Sequence, residues 1–187
     1  MCSSFFDDLT DILGEINRSL EELSNTDADS TKQQSHIKEE FNNMESSDVI
    51  QWFSDKTLEA NGDFSNVAKS EGVFRTSCAI DKLKEISEDS FEEDYIRLTA
   101  QLQYASILID GVDGVLEANP FMGINILRRL IKEIELIAKS NNNYSGLESY
   151  VLADAYGRAH LVIALCYALG KGCAESMANA KKYLKVA

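Results

Sequence analysis

The sequence has little proline, a deficit of basic residues and no long apolar run. Pro120 is the only proline among 187 residues, so the chain almost lacks the residue that most strongly breaks helices. No run of about 18 apolar residues occurs, and no transmembrane helix is expected. The chain does not open with a basic segment followed by an apolar one, so no signal peptide is expected.

Basic residues are outnumbered, with 18 lysines and arginines against 31 acids and a net charge of -13. This balance argues against binding to nucleic acid or insertion at an anionic membrane, because both need clustered cations. The charge is also uneven: residues 1–121 carry a net -17 and residues 122–187 a net +4. Either the helix faces are simply solvated, or the acidic part meets a basic partner.

The four cysteines form no CxxC pair, and only two histidines accompany them, so no metal site is expected. Free thiols in the reducing cytoplasm are the simplest interpretation. The alternative is that Met1-Cys2-Ser3-Ser4 is similar to the start of a mature bacterial lipoprotein. Cys2 would then be the lipidated residue of a periplasmic protein. A bond between Cys166 and Cys173 is geometrically feasible and stays open.

Apolar spacing divides the chain into three parts. Residues 5–23 have apolar side chains every three or four positions and predict an N-terminal amphipathic helix. Residues 24–36 contain one alanine as their only apolar residue and predict a polar linker. Residues 37–187 predict a helical domain. The N-terminal helix either packs on that domain or forms an arm that pairs with another chain.

Helix boundaries are marked within the domain. Ser90 and Glu93 have the spacing of a capping box, which predicts a helix to about Ile109 with Phe91 in its buried stripe. Pro120 suits the first turn of the next helix. Ser145 and Glu148 form a second capping box. Because no segment alternates apolar and polar residues, no sheet is predicted, and the fold class is all-α.

The C-terminal residues have a pattern of small residues, tyrosines and glycines that suits two closely packed antiparallel helices joined by a turn. Its positions are Ala159, Ile163, Ala164, Tyr167, Gly170, Gly172, Cys173, Ala180, Tyr183 and Ala187. This pattern resembles the Sel-one-like repeat, a helical-hairpin relative of the tetratricopeptide (TPR) repeat. Three positions depart from the family: Ile163 replaces leucine, Ala164 replaces glycine and Cys173 replaces valine.

A weaker upstream copy has the same order of residue types. Its positions are Ala100, Tyr104, Ala105, Leu108, Gly111, Gly114, Val115, Gly123, Ile126 and Leu130. The two repeat-like units would cover about residues 90–138 and 147–187. The resemblance implies antiparallel helical hairpins stacked as a short α-solenoid of about seven helices, with an N-terminal helical cap. It also implies a binding scaffold, since members of this family act as adaptors, some of them in bacteria as partners of secreted toxins.

The densest acidic cluster is the best candidate for a partner-binding site. It comprises Glu88, Asp89, Glu92, Glu93 and Asp94. Complementarity to a helix dipole explains part of it. A basic protein partner explains the rest, and exposed aromatics such as Trp52, Phe53 or Tyr95 would then supply anchors.

No catalytic constellation is found, and no cofactor is expected. Asp110, Asp113 and Glu117 lack the spacing of a calcium loop. His160 is interpreted as a surface or satisfied core histidine. The sequence therefore predicts a non-enzymatic protein-binding module, with an immunity protein that inhibits a toxin as one version. The alternative is a structural or adaptor subunit of a larger complex that self-associates through its helices, as a homo-oligomer.

Overall fold

The computed structural model describes residues 30–60, 66–140 and 144–187. The predicted N-terminal helix at 5–23, Cys2 and the first part of the predicted linker lie outside the described residues. Within them the chain is mostly helical and contains no strand, only an isolated bridge between Val112 and Leu116. The all-α prediction is thus confirmed for this part of the chain. The helices are α1 (30–43), α2 (Ser46–Glu59), α3 (Val67–Glu71), α4 (Val73–Glu88), α5 (Asp94–Asp110), α6 (Pro120–Lys139), α7 (Gly146–Leu169) and α8 (Met177–Leu184).

Helix ends follow local chemistry where the sequence supplies a cap. The side chain of Asn119 accepts a hydrogen bond from the Met122 backbone N–H at 3.1 Å, and Pro120 opens α6 where no N–H is required. Ser145 and Glu148 form the predicted capping box at the start of α7. Gly170 ends α7 in the left-handed conformation, with φ of 65°.

Two predicted boundaries are wrong. Residues 30–36, assigned to the polar linker, belong to α1 and are exposed. This stretch is polar but has no glycine or proline, and its lysine and glutamines favour helix. The helix predicted to begin at Ser90 begins at Asp94 instead, after a turn in which the Asp89 carboxylate accepts from the Phe91 N–H at 2.8 Å. Phe91 is 97% exposed and is not part of the buried stripe.

The chain divides into two compact units, one ending at Glu40 and the other covering Phe41–Ala187. Helix α5 is central in the second unit, where it contacts α2, α4, α6 and α7. Its apolar and small residues Leu98, Ala100, Ala105 and Ile107 are fully buried. Gly123 of α6 permits the close approach of α5, since an added Cβ would lie 2.7 Å from the Ala105 carbonyl oxygen.

The C-terminal pattern residues lie mostly where helix packing needs small or flat side chains. Ala159, Ala164 and Ala180 are buried between α7, α8 and their neighbours. The rings of Tyr167 and Tyr183 stack with centroids 5.7 Å apart. Gly172 adopts a φ of 69° in the turn between the two helices. Ala187 is exposed, so at this position no close helix contact requires an alanine.

Helix α7 has a high content of apolar residues, and only some of them are covered by the neighbouring helices. Leu161, Leu165 and Leu169 are spaced by four residues, share one face and are exposed. In the described part of the chain, α7 is the one helix whose length and composition would allow it to cross a membrane. Core helices meet the same criterion, and Leu152, Ala159 and Ile163 of α7 are core residues.

Candidate functional site

The acidic loop, residues 88–94, connects α4 to α5 and carries the predicted cluster. Glu88 is the last residue of α4, Glu93 precedes α5 and Asp94 is its first residue. Glu88, Asp89 and Glu93 are exposed, whereas Glu92 and Asp94 are half-buried. The structure therefore brings all five acids to one short segment, in which three carboxylates face solvent.

Three acids of the loop accept hydrogen bonds within the fold, and Asp89 is one of them, since its carboxylate accepts from the Phe91 backbone N–H at 2.8 Å. Glu92 accepts a hydrogen bond from the Ser46 hydroxyl. Asp94 accepts from the Tyr144 hydroxyl at 2.5 Å and from the Arg97 guanidinium at 2.8 Å. The hydrogen bond from Tyr144 and the neighbouring Arg97 hold the pKa of Asp94 below its usual value. Glu88, Asp89 and Glu93 are the exposed acids of the loop and are therefore better placed to meet a partner.

Phe91 projects from the middle of this loop. It is the most exposed large apolar side chain among the described residues, at 97%. Beside it lies a concave surface of about 510 Å³ whose lining includes Glu45, Glu93 and Tyr95. The neighbouring Glu93 carboxylate raises the pKa of Tyr95. An exposed aromatic ring is thus surrounded by carboxylates and flanked by a shallow cleft.

The aromatic anchors predicted on α2 are misplaced. Phe53 is 2% exposed and belongs to the core, so it cannot contact a partner. Trp52 is half-buried, and its ring packs edge-to-face on Phe41 at 5.5 Å and on Phe53 at 4.9 Å. Val49 and Phe53, four residues apart, mark the buried face of α2, and this spacing was the signal that Phe53 is internal.

A polar groove of about 460 Å³, lined in part by Glu88 and Ser90 of the loop, opens between α4, α5 and α6. Its central group is Arg97, which pairs with Glu133 at 2.5 Å and with Asp94. These ion pairs raise the pKa of Arg97. The Ser87 hydroxyl donates to the Lys84 carbonyl at 2.7 Å, which uses its proton within α4. The groove has the features of an internal ion-pair network that joins α5 to α6.

His160 is almost fully buried and is held between two tyrosine rings. Its ring centroid lies 4.4 Å from that of Tyr156 and 5.7 Å from that of Tyr183. Its Nδ1 is 2.9 Å from the Tyr156 carbonyl oxygen, an acceptor, so Nδ1 carries the proton. The position corresponds to a histidine satisfied within the core rather than to one paired with a nucleophile.

The thiols of Cys166 and Cys173 are not bonded to each other. Burial, followed by the charge of the nearby Cys173, raises the pKa of Cys166 to about 11. Such a thiol is a neutral, inert core group at physiological pH. Among the described residues no group of three or more histidines, cysteines or acids is placed to hold a metal ion.

Comparisons of the chain with models of protein families, with curated proteins and with solved structures give no significant match.

Proposed function

We propose that the protein is a non-enzymatic protein-binding module whose acidic loop docks on a basic partner. The observation that carries this proposal is Phe91, which is 97% exposed among the carboxylates of Glu88, Asp89 and Glu93. An aromatic side chain at the centre of a charged surface is typical of an interface anchor. The loop replaces Trp52 and Phe53 as the source of that anchor.

The aromatic ring and the carboxylates of the loop would contribute differently to binding. Burying a phenylalanine in a partner's pocket contributes about 2 kcal/mol to binding. The exposed carboxylates act at longer range: they steer a basic partner toward the loop and raise the association rate at low salt. The net charge of -13 reinforces this attraction.

The scaffold that holds the loop is proposed to be a short Sel-one-like solenoid. In support, α5 contacts α6, α7 contacts α8, and α6 contacts α7, as expected for successive hairpins. Buried alanines, stacked Tyr167 and Tyr183, and positive-φ glycines at 170 and 172 also fit this arrangement. One version of the function is an immunity protein whose acidic loop blocks the basic active site of a toxin.

The proposal is tested with Phe91→Ala as bait in affinity capture from cells that express the protein. The wild-type chain is expected to retain one stoichiometric partner at low salt and to lose it at high salt. Removing the ring is expected to weaken that complex about thirtyfold, the effect of a strong interface anchor. Affinity is then measured with the purified partner.

The matched control is Leu58→Ala, because Leu58 of α2 is 77% exposed and lies outside the loop. It is expected to bind as the wild type does. Glu93→Gln should slow association at low salt and leave it unchanged at high salt. Equal binding by the Phe91 and Leu58 variants would contradict the docking role of the loop.

A second function, a self-associating structural subunit, is favoured by a different surface. In the C-terminal half of α7, beyond the exposed ion pair of Asp154 and Arg158, the outer face is apolar and exposed at Leu161, Leu165 and Leu169. Contiguous exposed apolar residues mark protein interfaces in chains of this size. A second copy could cover this face, and the oligomeric state of the isolated chain decides between the two functions.

A further inference from the structure

A small cleft of about 260 Å³ opens between α6, α7 and α8, away from the acidic loop. Arg128 and Lys132 of α6, His160 of α7, and Lys182 and Tyr183 of α8 line it. These residues come from distant parts of the sequence and meet because the three helices pack together. Three cations, Arg128, Lys132 and Lys182, thus line one common pocket.

The three cations are not neutralised by the protein. In the parts of the chain that the structure describes, neither Arg128 nor Lys132 nor Lys182 has a carboxylate within ion-pair distance, whereas Lys56, Arg97 and Lys171 all do. Glu135 is the one acid in the wall, and its carboxylate accepts a hydrogen bond from the Tyr156 hydroxyl at 3.2 Å. The wall thus carries an excess of two positive charges in a chain with a net charge of -13.

The cleft is also preorganised. The Arg128 guanidinium donates to the Tyr167 hydroxyl at 2.8 Å, and its carbon lies 6.0 Å from the centre of that ring. Tyr167 stacks in turn on Tyr183. Because a guanidinium has five N–H donors, this contact orients it and leaves others for a ligand. His160 donates through Nδ1 to the Tyr156 carbonyl, so its Nε2 is an acceptor that can receive a hydrogen bond from a protonated oxygen of a ligand.

We infer that this cleft binds a phosphate group. Its excess of two positive charges matches a phosphate, with about -1.5 to -2 at neutral pH, better than a carboxylate with a single charge. Arginine and lysine together supply the forked and point-like donors that phosphate oxygens accept. The volume of about 260 Å³ lies below the roughly 300–1,000 Å³ of pockets for drug-sized ligands and suits a single anionic group. The site is independent of the proposed docking of the acidic loop.

The test is a titration of the full chain with inorganic phosphate at constant ionic strength, followed by amide and histidine NMR shifts. Saturable shifts confined to His160 and to the facing turns of α6 and α8 are expected, with acetate binding at least fivefold more weakly. Glycerol 3-phosphate distinguishes the sources. Tighter binding than inorganic phosphate identifies a phosphomonoester as the ligand, and weaker binding identifies the free ion; either order supports the site.

Lys132→Gln and Lys182→Gln are each expected to weaken phosphate binding about tenfold, since each removes one charge-assisted contact. Lys181→Gln is the matched control: it removes the same charge from the neighbouring exposed position, which does not line the cleft. Circular dichroism melting checks that all three variants fold. Shifts that do not saturate, acetate binding as tight as phosphate, or equal weakening by the Lys181 variant would each overturn the assignment.

Discussion

Gly172 shows how a single residue can fix the position of a turn. It has a φ of 69°, and a Cβ built on it would lie 2.6 Å from the Cβ of Pro120 and 2.7 Å from its carbonyl carbon. The turn that joins α7 to α8 therefore rests on the first turn of α6. Gly170, two residues earlier, has a similar φ of 65°, but a Cβ there would meet nothing closer than 3.5 Å.

Gly172→Ala should destabilise the protein by about 3 kcal/mol, from left-handed strain plus the overlap with the Pro120 backbone. Gly170→Ala introduces only the strain of a left-handed backbone and should lower the free energy of unfolding by about 1 kcal/mol. Urea unfolding of the two variants measures the difference. Equal losses would show that the turn does not press on α6.

At the scale of elements, ion pairs around Arg97 join α5 to α6 and to the segment before α7. Arg97 binds Glu133 of α6, and Asp94 binds Tyr144. The pKa of Asp94 lies below its ordinary value of 3.8 because the folded state stabilises the carboxylate, first through Tyr144. This contribution to stability is present at neutral pH and is lost as the pH falls from about 3.8 through the lower folded-state pKa.

Asp94→Asn is therefore expected to cost about 1 kcal/mol at pH 7, a modest value because solvent screens this partly exposed group. The cost should be smaller at pH 2 than at pH 7, because the contribution of the lowered pKa falls as the pH drops below 3.8. Unfolding curves at the two pH values measure it. Asp81→Asn, on the exposed face of α4, is the control. If Asp94→Asn lowers the free energy of unfolding equally at both pH values, the ionised carboxylate of Asp94 does not stabilise the fold.

The capping-box pattern predicted the start of a helix correctly only where no other side chain bound the same stretch of backbone. The capping box at Ser145 forms, whereas the same spacing at Ser90 does not, because the Asp89 side chain takes the Phe91 N–H and delays the helix to Asp94. The acidic character of the loop could be predicted from the sequence, because its acids lie close together along the chain. The exposure of Phe91 could not be predicted, since the apolar spacing assigned its ring to the buried stripe of the helix.

On the scale of the whole molecule, the described residues hold an acidic loop at 88–94 and a cleft with three cations formed by α6, α7 and α8. The loop is contiguous and was predictable from composition. The cleft was not, because Arg128, His160 and Lys182 become neighbours only through helix packing. The same holds for the outer face of α7, whose exposure depends on which side its neighbours cover.

Self-association through that face predicts a mass that rises with concentration in sedimentation or light scattering. Leu165→Glu should abolish the increase of mass with concentration, since the interface would bury a carboxylate that has no paired cation. Leu136→Glu, at an exposed position of α6, is the matched control and should leave it intact. A wild-type chain that stays monomeric at every concentration would exclude the structural-subunit function and favour the docking module.

Phe91 has a consequence for how the chain can evolve. A ring that is 97% exposed in the native state gains almost nothing from folding, so substitutions there leave stability nearly untouched. Selection for a stable fold cannot act on such a site, in contrast to Gly172 or Phe53. The residue found at position 91 in descendants of this chain therefore reflects binding to the partner of the loop and not the stability of the fold. Recognition could be redirected there by single mutations, without a compensating change elsewhere in the domain.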